Sequence, residues 1–547
     1  MSGLGALRHP LVVLAGALAV LPFAMQAIGL TTLIATEIAL FALIGLGFNL
    51  LLGYTGLLSF GHGAFVGLAA YAAALFQLHV WPGSFALAIL FATAFAALAG
   101  LLIGFLVLRR RGVYFSLLTL AFTAMIFYIV FRWTSFTGGE NGLRGITRPD
   151  LLGIDLADHR IFYGLSALIV LLASAAIWRI VSSPFGRVLV AIRENEQRAT
   201  FIGYPVRRYK LLAFVLSTTI LGLAGSLLAF LRYFVSADMV HVAFSGEIIA
   251  MTVIGGMGSF LGPPLGALFF ILFREILSGH TAAWQFYFGL LFMAFILFSP
   301  MGLIGLGERL LAPFRRQAEE IAAMAARARP EPSPKVPAFL RQGTADGAAP
   351  ALLECRAVEK RFGGLRAVAA IDLAVMPERL QALIGPNGAG KTTLFNVISG
   401  LYPPDGGAIL LRGARVDGLS PDRLCARGIA RSFQITNLFQ GLTVLENLRL
   451  GVQARDPGRF HLWRRAEDLE RVSAETRTLV AFLGLEGLEA ARVDQLSYGG
   501  QRLMEIGVAL ATQPRLLLLD EPSSGLNEEE TGVFGELLLE LAEGGLA

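Results

Sequence analysis

The sequence predicts an all-α polytopic membrane domain of about ten spans, followed by an α/β domain that binds nucleotide through a phosphate-binding loop. Of the 547 residues, 55% are apolar and only 16% are charged, with a mean hydropathy of +0.65. These values exclude an ordinary soluble protein. Charged residues are sparse up to about residue 307 and evenly spread after it, and a motif of the form G-x-x-x-x-G-K-T begins at Gly385.

This change in charge density divides the chain into three regions. Residues 1–307 form the membrane domain, 308–350 a linker, and 351–547 the nucleotide-binding domain. The linker begins with an Ala/Arg/Glu-rich stretch and ends with several prolines, a composition typical of connecting segments. The formal charge of +5 follows from arginines that flank membrane spans, so no nucleic-acid partner is expected. Cys355 and Cys425 lack metal-ligand spacing and read as reduced structural thiols.

The membrane domain contains a series of long apolar stretches. The N-terminal one could imitate a cleaved secretion signal, but further spans follow at once, so we interpret it as a retained first span. Arg109–Arg111 and the basic loop 182–210 are placed in the cytoplasm. The candidate spans are Pro10–Phe23, Leu30–Leu52, Tyr54–Val80, Ser84–Leu108, Val113–Phe136, Ile161–Val181, Leu211–Phe234 and Trp284–Leu306.

One further stretch, His241–Gly279, is ambiguous. A nucleotide-binding domain in the cytoplasm requires this stretch to cross the membrane an even number of times. Glycines and prolines from Gly255 to Pro264 favour two short helices joined by a tight turn, which gives ten spans. A re-entrant hairpin is the alternative.

Three polar segments interrupt the membrane domain. Gly56–Phe65 places a histidine among glycines at membrane depth, which indicates either a transport pathway or a close helix contact. Thr137–Leu143 is an outer gate or a turn. The cytoplasmic insert from Pro184 to Glu196 could be gripped by an ATPase, and we expect Ala191–Ala199 to form a short helix near Gln434, a plain surface loop being the alternative.

The phosphate-binding loop follows an apolar run, Leu380–Ile384, that predicts a buried strand, and precedes a helix. Glycines let backbone N–H groups turn toward phosphates at the helix N-terminus. Lys391 would reach the β- and γ-phosphates of ATP, and the Thr392 hydroxyl would bind Mg²⁺. The predicted nucleotide-binding residues here are Gly385, Pro386, Asn387, Gly388, Ala389, Gly390, Lys391, Thr392 and Thr393.

A second group of residues completes the predicted site. Four leucines, Leu516–Leu519, lead into Asp520 and Glu521, a pattern that indicates a buried strand presenting Asp520 to a metal ion and Glu521 to the attacking water. An ordinary core strand ending in solvated acids is the alternative reading. Upstream of this strand, Ser497 to Gln501 form a Ser-Tyr-Gly-Gly-Gln segment, and Gln434 follows Ser432-Phe433.

Taken in this order, Lys391, Gln434, Ser497–Gln501 and Asp520-Glu521 resemble an ATP-binding-cassette (ABC) ATPase. The resemblance implies that Gln434 contacts metal and water, and that Phe362 stacks on adenine. It also implies that Ser497, Gly499, Gly500 and Gln501 close on ATP held by a partner subunit.

Residues 1–307 resemble the LivM-type permease of branched-chain amino-acid importers, and the second domain resembles the companion LivG-type ATPase. Permeases for urea, short amides or other amino acids share much of the pattern. The resemblance implies ATP-driven import across a bacterial cytoplasmic membrane, in contact with lipid. It also implies three partners: a second permease, a second ABC ATPase and a periplasmic substrate-binding protein. A non-transporting membrane ATP sensor and a fused exporter are alternative classes.

The sequence departs from the ABC pattern near its end. The resemblance implies a switch histidine about thirty residues after the catalytic glutamate, but the last histidine is His461. We therefore expect the ATPase domain to be C-terminally truncated, through a truncated gene or an incomplete sequence, which leaves ATP hydrolysis by this chain alone uncertain. Tyr498 also stands where a glycine is commonest.

Overall fold

The computed structural model describes residues 9–151, 153–299, 301–311, 321, 323–326, 328, 330–333, 335–341, 351–433 and 437–547. The chain separates into two compact units. The first contains residues 1–182 and 207–314, and the second contains residues 183–206 and 315–547. Residues 183–206 connect two membrane helices in the sequence, yet they belong to the second unit. Gln434 lies outside the described residues.

The first unit is helical, as predicted. Among the described residues, seven helices are long and apolar enough to cross a membrane. They are α1 (Pro10–Ala27), α2 (Thr32–Leu52), α3 (His62–Leu75, continued to Val80 by a π-helical turn), α4 (Phe85–Val107), α5 (Val113–Arg132), α6 (His159–Val181) and α9 (Val206–Arg232). Helices α7 (Pro184–Glu194) and α8 (Glu196–Phe201) belong to the second unit.

Four shorter α-helices follow α9 in the first unit: α10 (Val242–Gly255), α11 (Gly262–Ser278), α12 (Trp284–Phe298) and α13 (Gly302–Leu311). The ambiguous stretch therefore forms two helices that meet at glycines. Gly256 has φ +112°, and a Cβ on Gly262 would lie 1.9 Å from the carbonyl oxygen of Gly256. Only glycine allows this close approach. The count of ten membrane crossings remains a prediction, because these helices are short.

Helix α2 is the most buried of the long helices, whereas α4 and α5 expose many apolar side chains, as expected for helices that face lipid. Close helix packing also accounts for glycines near His62. A Cβ on Gly61 would lie 2.6 Å from the carbonyl oxygen of Thr119, and one on Gly67 would lie 2.6 Å from that of Met239. The helix-contact reading of Gly56–Phe65 therefore has direct geometric support.

The second unit begins with α7 (Pro184–Glu194) and α8 (Glu196–Phe201). The single helix predicted for Ala191–Ala199 is wrong, because the backbone breaks at Asn195, where φ is −157° and ψ is 95°. The Asn195 side chain accepts a hydrogen bond from the backbone N–H of Arg198 at 2.9 Å. It thereby caps α8, a role for which asparagine is well suited.

The remainder of the second unit combines two sheets with helices. An antiparallel sheet has the strand order β2-β1-β3-β4, and β5 pairs with β6 in parallel. The strands are β1 (Leu353–Phe362), β2 (Leu365–Val375), β3 (Gly406–Leu411), β4 (Ala414–Arg415), β5 (Ile429–Arg431) and β6 (Leu516–Leu518). The helices are α14 (Lys391–Ile398), α15 (Pro421–Cys425), α16 (Val444–Gln453), α17 (Glu470–Phe482), α18 (Tyr498–Leu510) and α19 (Glu528–Glu543).

The buried strand predicted for Leu380–Ile384 is wrong. The segment has no strand assignment, and its apolar side chains are exposed: 61% for Leu380, 39% for Leu383 and 90% for Ile384. A buried strand needs hydrogen-bonded neighbours, and no described strand pairs with this segment. On β6, the N–H of Leu517 donates instead to the carbonyl of Ala547 at 2.8 Å. The apolar composition of the segment is typical of a strand, but no described strand pairs with it.

Candidate nucleotide-binding site

The phosphate-binding loop leads directly into α14. Gly388 and Gly390 have φ values of +83° and +86°, a conformation that glycine adopts at little cost. A Cβ on Gly390 would also lie 2.3 Å from the carbonyl oxygen of Ala367. The turn therefore requires glycine for both its backbone angles and its contact with β2.

The start of α14 offers several unused hydrogen-bond donors. No backbone acceptor within the described residues receives the N–H groups of Lys391, Thr392 and Thr393. The Lys391 ammonium donates to the carbonyl oxygens of Gly385 at 2.6 Å and Pro386 at 2.9 Å. Free N–H groups at a helix N-terminus, with a lysine folded over them, fit a phosphate group. The loop residues present thus suit the phosphates of ATP.

Asp520 follows β6 and is buried. Its Oδ2 lies 3.4 Å from Nη2 of Arg431, the last residue of β5. Arg431 also donates from Nη1 to Asn396 Oδ1 at 2.5 Å and to Ser399 Oγ at 3.0 Å, both next to or within α14. Arg431 therefore ties the carboxylate of Asp520 to the helix that begins at the phosphate-binding loop. Sequence analysis did not identify this arginine, because an arginine at the end of a short strand carries no distinctive signal.

The other predicted residues around the loop are more exposed. Glu521 is exposed and has φ +47°, a left-handed conformation that is uncommon for glutamate. The Phe362 ring is 43% exposed at the end of β1, with its centroid 5.3 Å from that of Tyr402. An exposed aromatic face of this kind is available for stacking. Among the described residues, no group of three or more His, Cys, Asp or Glu side chains could hold a metal ion, so a metal here would need ligands such as the Thr392 hydroxyl.

The Ser-Tyr-Gly-Gly-Gln segment forms the start of α18. Ser497 Oγ accepts from the N–H of Gly500 at 3.3 Å and so caps the helix. The same hydroxyl donates to the carbonyl of Ala328 in the linker at 3.4 Å. Gln501 donates from Nε2 to the carbonyl of Leu496 at 3.1 Å. The structure therefore places these residues together at the start of α18. Among the described residues, none of these hydrogen bonds reaches the phosphate-binding loop.

Residues 183–206 pack into the same unit through buried polar groups, and we call them the docking segment. Arg198 on α8 is fully buried. Its guanidinium donates to the carbonyl of Arg431 at 3.2 Å and to that of Glu505 at 2.9 Å. One side chain thus joins the end of β5 to the middle of α18. In the sequence, Arg198 was only one of several arginines in a basic loop.

A buried carboxylate lies beside Arg198. Glu505 Oε1 accepts from the backbone N–H of Phe433 at 2.7 Å, and its Oε2 lies 3.0 Å from Nη1 of Arg502. Burial raises the pKa of Glu505, while Arg198, Phe433 N–H and Arg502 oppose that shift. Phe201 of α8 also packs edge-on against Phe433, with ring centroids 5.0 Å apart. The docking segment therefore contacts the residue directly before Gln434.

Two separate regions of the chain match known protein families. Residues 30–300 match the family described as the permease component of branched-chain amino acid transport systems, and residues 368–524 match the ABC transporter family. Over 195 residues, the chain is 40% identical to the high-affinity branched-chain amino acid transport ATP-binding protein LivG of Escherichia coli, covering 35% of this chain and 76% of LivG. The chain belongs to the branched-chain amino-acid ABC transporter family.

Its N-terminal region has a separate relative in the same bacterium. Over 294 residues, the transporter chain is 33% identical to the permease protein LivM of Escherichia coli, covering 50% of this chain and 69% of LivM. It is also 36% identical over 195 residues to the ATP-binding protein BraF of Pseudomonas aeruginosa, covering 35% of this chain and 76% of BraF. This multi-pass membrane protein thus fuses a LivM-like permease with a LivG-like, cytoplasmic ABC ATPase domain.

Proposed function

We propose that this chain is a subunit of an importer that couples ATP binding and hydrolysis to the uptake of branched-chain amino acids. The observation that carries the proposal is the fusion itself: a LivM-like region and a LivG-like region occur in one polypeptide, and the loop between α6 and α9 packs into the ATPase unit. The relatives LivG and LivM are both named for branched-chain amino acid transport. An importer for urea or short amides is the closest competing function.

The nucleotide chemistry follows from the residues of the loop. Lys391 would exchange its two carbonyl acceptors for the phosphates of ATP, with the N–H groups of α14 donating to the same phosphates. Thr392, Asp520 and Gln434 would hold Mg²⁺, which neutralises phosphate charge when bound. Glu521 would orient the attacking water, and the exposed ring of Phe362 would stack on adenine.

Coupling would run through the docking segment. Arg198 holds the end of β5, where Phe433 precedes Gln434, and it also holds α18, whose first residues would contact ATP on a partner subunit. A displacement of either element changes the distance between the two carbonyls that Arg198 joins. Because α8 continues into α9 after only a short turn, such a displacement would be passed along the chain to a membrane helix.

We further propose three partners: a second permease, a second ABC ATPase, and a periplasmic binding protein that delivers the substrate. The nucleotide-binding site of the second ATPase would be completed by Ser497, Gly499, Gly500 and Gln501 of this chain. A membrane ATP sensor would need none of them. The fused chain by itself carries one permease region and one ATPase region.

The direct test is uptake by liposomes that contain the fused chain with its genomic neighbours as partners. We expect ATP-dependent accumulation of radiolabelled leucine and isoleucine when the binding protein is outside and ATP is inside. Urea and acetamide serve as matched substrates. Accumulation of urea without leucine would replace the proposed substrate class. If ATP produced no accumulation of any solute, the result would support the membrane ATP sensor.

A further inference from the structure

A cavity of about 600 Å³ opens in the second unit, away from the phosphate-binding loop. Three loops of the ATPase domain line it: the one before β5, the one after α16 and the one before β6. The turn Ile202-Gly203, at the end of α8, completes the wall. Its volume is within the range of about 300–1,000 Å³ that is typical of small-molecule sites. No residue of the phosphate-binding loop or of the Ser-Tyr-Gly-Gly-Gln segment takes part.

The lining is strongly basic. Four arginines, Arg427, Arg455, Arg459 and Arg515, share the cavity with a single carboxylate, that of Asp456. Asp456 already accepts the N–H of Gly458 at 2.7 Å through Oδ1. Four arginines and one carboxylate thus line one concave space, which gives the lining an excess of positive charge.

The arginines differ in how they are held. Arg455 donates from Nε to the carbonyl of Ala511 at 2.8 Å and pairs with Glu475, so its position is fixed. Arg459 donates to the carbonyl of Ala454 at 2.6 Å. Within the described residues, Arg515 has no side-chain hydrogen bond or ion pair, and Arg427 has only a 3.4 Å contact with the carbonyl of Arg415. Two guanidinium groups thus retain nearly all their donors at the rim.

Guanidinium groups bind phosphate oxygens through paired N–H donors, and several converging arginines favour an anion with more than one phosphate. Such an anion would also relieve the repulsion among the arginines of the cavity, of which Arg455 is already paired with Glu475. We propose that this cavity binds an anion that carries two or more phosphate groups. The anion could be free in the cytoplasm or could be the headgroup of a diphosphate lipid such as cardiolipin.

The site would adjoin the docking segment. Gly203 has φ +101°, and a Cβ there would lie 3.3 Å from Sγ of Cys425, which also lines the cavity. A ligand in the cavity therefore contacts the turn through which α8 continues toward α9.

Calorimetric titration of the full-length chain in phosphatidylcholine nanodiscs, with inorganic pyrophosphate as the probe, tests the site. Binding should persist in Lys391→Ala, which disables the phosphate-binding loop. In that background, Arg427→Gln with Arg515→Gln should weaken binding by about 10-fold or more, because charge-assisted hydrogen bonds are lost. The matched control is Arg423→Gln with Arg464→Gln, which removes the same charge from exposed positions outside the cavity.

Loss of binding in Lys391→Ala alone would overturn the proposal, since the probe would then report only the phosphate-binding loop. If the cavity pair and the control pair weakened pyrophosphate binding equally, the proposal would also be overturned, because the binding would then reflect nonspecific attraction to positive charge. Nanodiscs that contain cardiolipin distinguish the two sources of ligand. Weaker pyrophosphate binding in them, dependent on Arg427 and Arg515, supports the site with a lipid ligand, and unchanged binding supports it with a soluble one.

Discussion

Two faces of the ATPase domain carry the proposed function, and they differ in how completely the chain builds them. At the docking face, where the docking segment packs against β5 and α18, Arg198 is fully buried, and both of its side-chain hydrogen bonds reach residues distant in sequence. At the phosphate-binding face, the glycine turn and α14 are formed, but the apolar segment before them is exposed, with Ile384 90% accessible. A motif fixes local backbone geometry, whereas a strand requires neighbours. A short motif therefore specifies its own turn, whereas the burial of the segment before it depends on the rest of the fold.

The largest expected effect on nucleotide binding is at the phosphate-binding loop. Lys391→Ala should lower ATP affinity by about 100-fold or more, equivalent to about 3 kcal/mol, because two charge-assisted hydrogen bonds to phosphate are lost. Glu521→Gln should leave binding intact, since its proposed role begins with the attacking water. Equilibrium binding of a fluorescent ATP analogue, with partner subunits present, measures both. Equal affinities in the two variants would contradict the proposed role of Lys391.

At the docking face, Arg198→Met keeps an unbranched, flexible side chain but removes the guanidinium donors. The buried carbonyls of Arg431 and Glu505 would each lose a hydrogen bond, at a total cost of about 2–5 kcal/mol. Uptake should fall and cleavage of the docking segment by protease should increase, while ATP binding persists. Arg187→Met is the matched control, because the Arg187–Glu446 ion pair is substantially exposed and should contribute about 1 kcal/mol or less. Full uptake in Arg198→Met would show that coupling runs elsewhere.

The sequence predicted much of this organisation because the relevant signals are local. Long apolar stretches identified the helical membrane domain, and glycines at fixed spacing identified the loop before Lys391. The sequence could not identify Arg198 or Glu505, since their roles depend on contacts between distant residues, and the contact that joins these two spans 307 positions. It also predicted a buried strand for Leu380–Ile384, where the structure has an exposed segment without strand pairing. Composition reports that a segment suits a buried strand, but not whether partner strands are present.

The smallest expected effect is in the exposed segment Leu380–Ile384. Ile384→Ala should change the free energy of unfolding by no more than about 0.5 kcal/mol, because an exposed side chain loses few contacts. Leu518→Ala is the counterpart: Leu518 lies on β6 in the apolar core of the same unit and is 6% exposed. Its truncation should cost about 2–5 kcal/mol through lost burial and the cavity left behind.

Differential scanning calorimetry of the detergent-solubilised chain measures both variants, with the transition that Leu518→Ala shifts assigned to the ATPase domain. If Ile384→Ala destabilises that transition as much as Leu518→Ala does, the segment is buried in solution and a strand does form before the phosphate-binding loop. The difference between the two faces would then disappear. A small effect for Ile384 beside a large one for Leu518 would establish that the glycine turn and α14 hold their geometry without a buried strand behind them. The shape of the phosphate-binding loop would then come from Gly388, Gly390, the contact with Ala367 and the hydrogen bonds that Lys391 donates to the loop carbonyls.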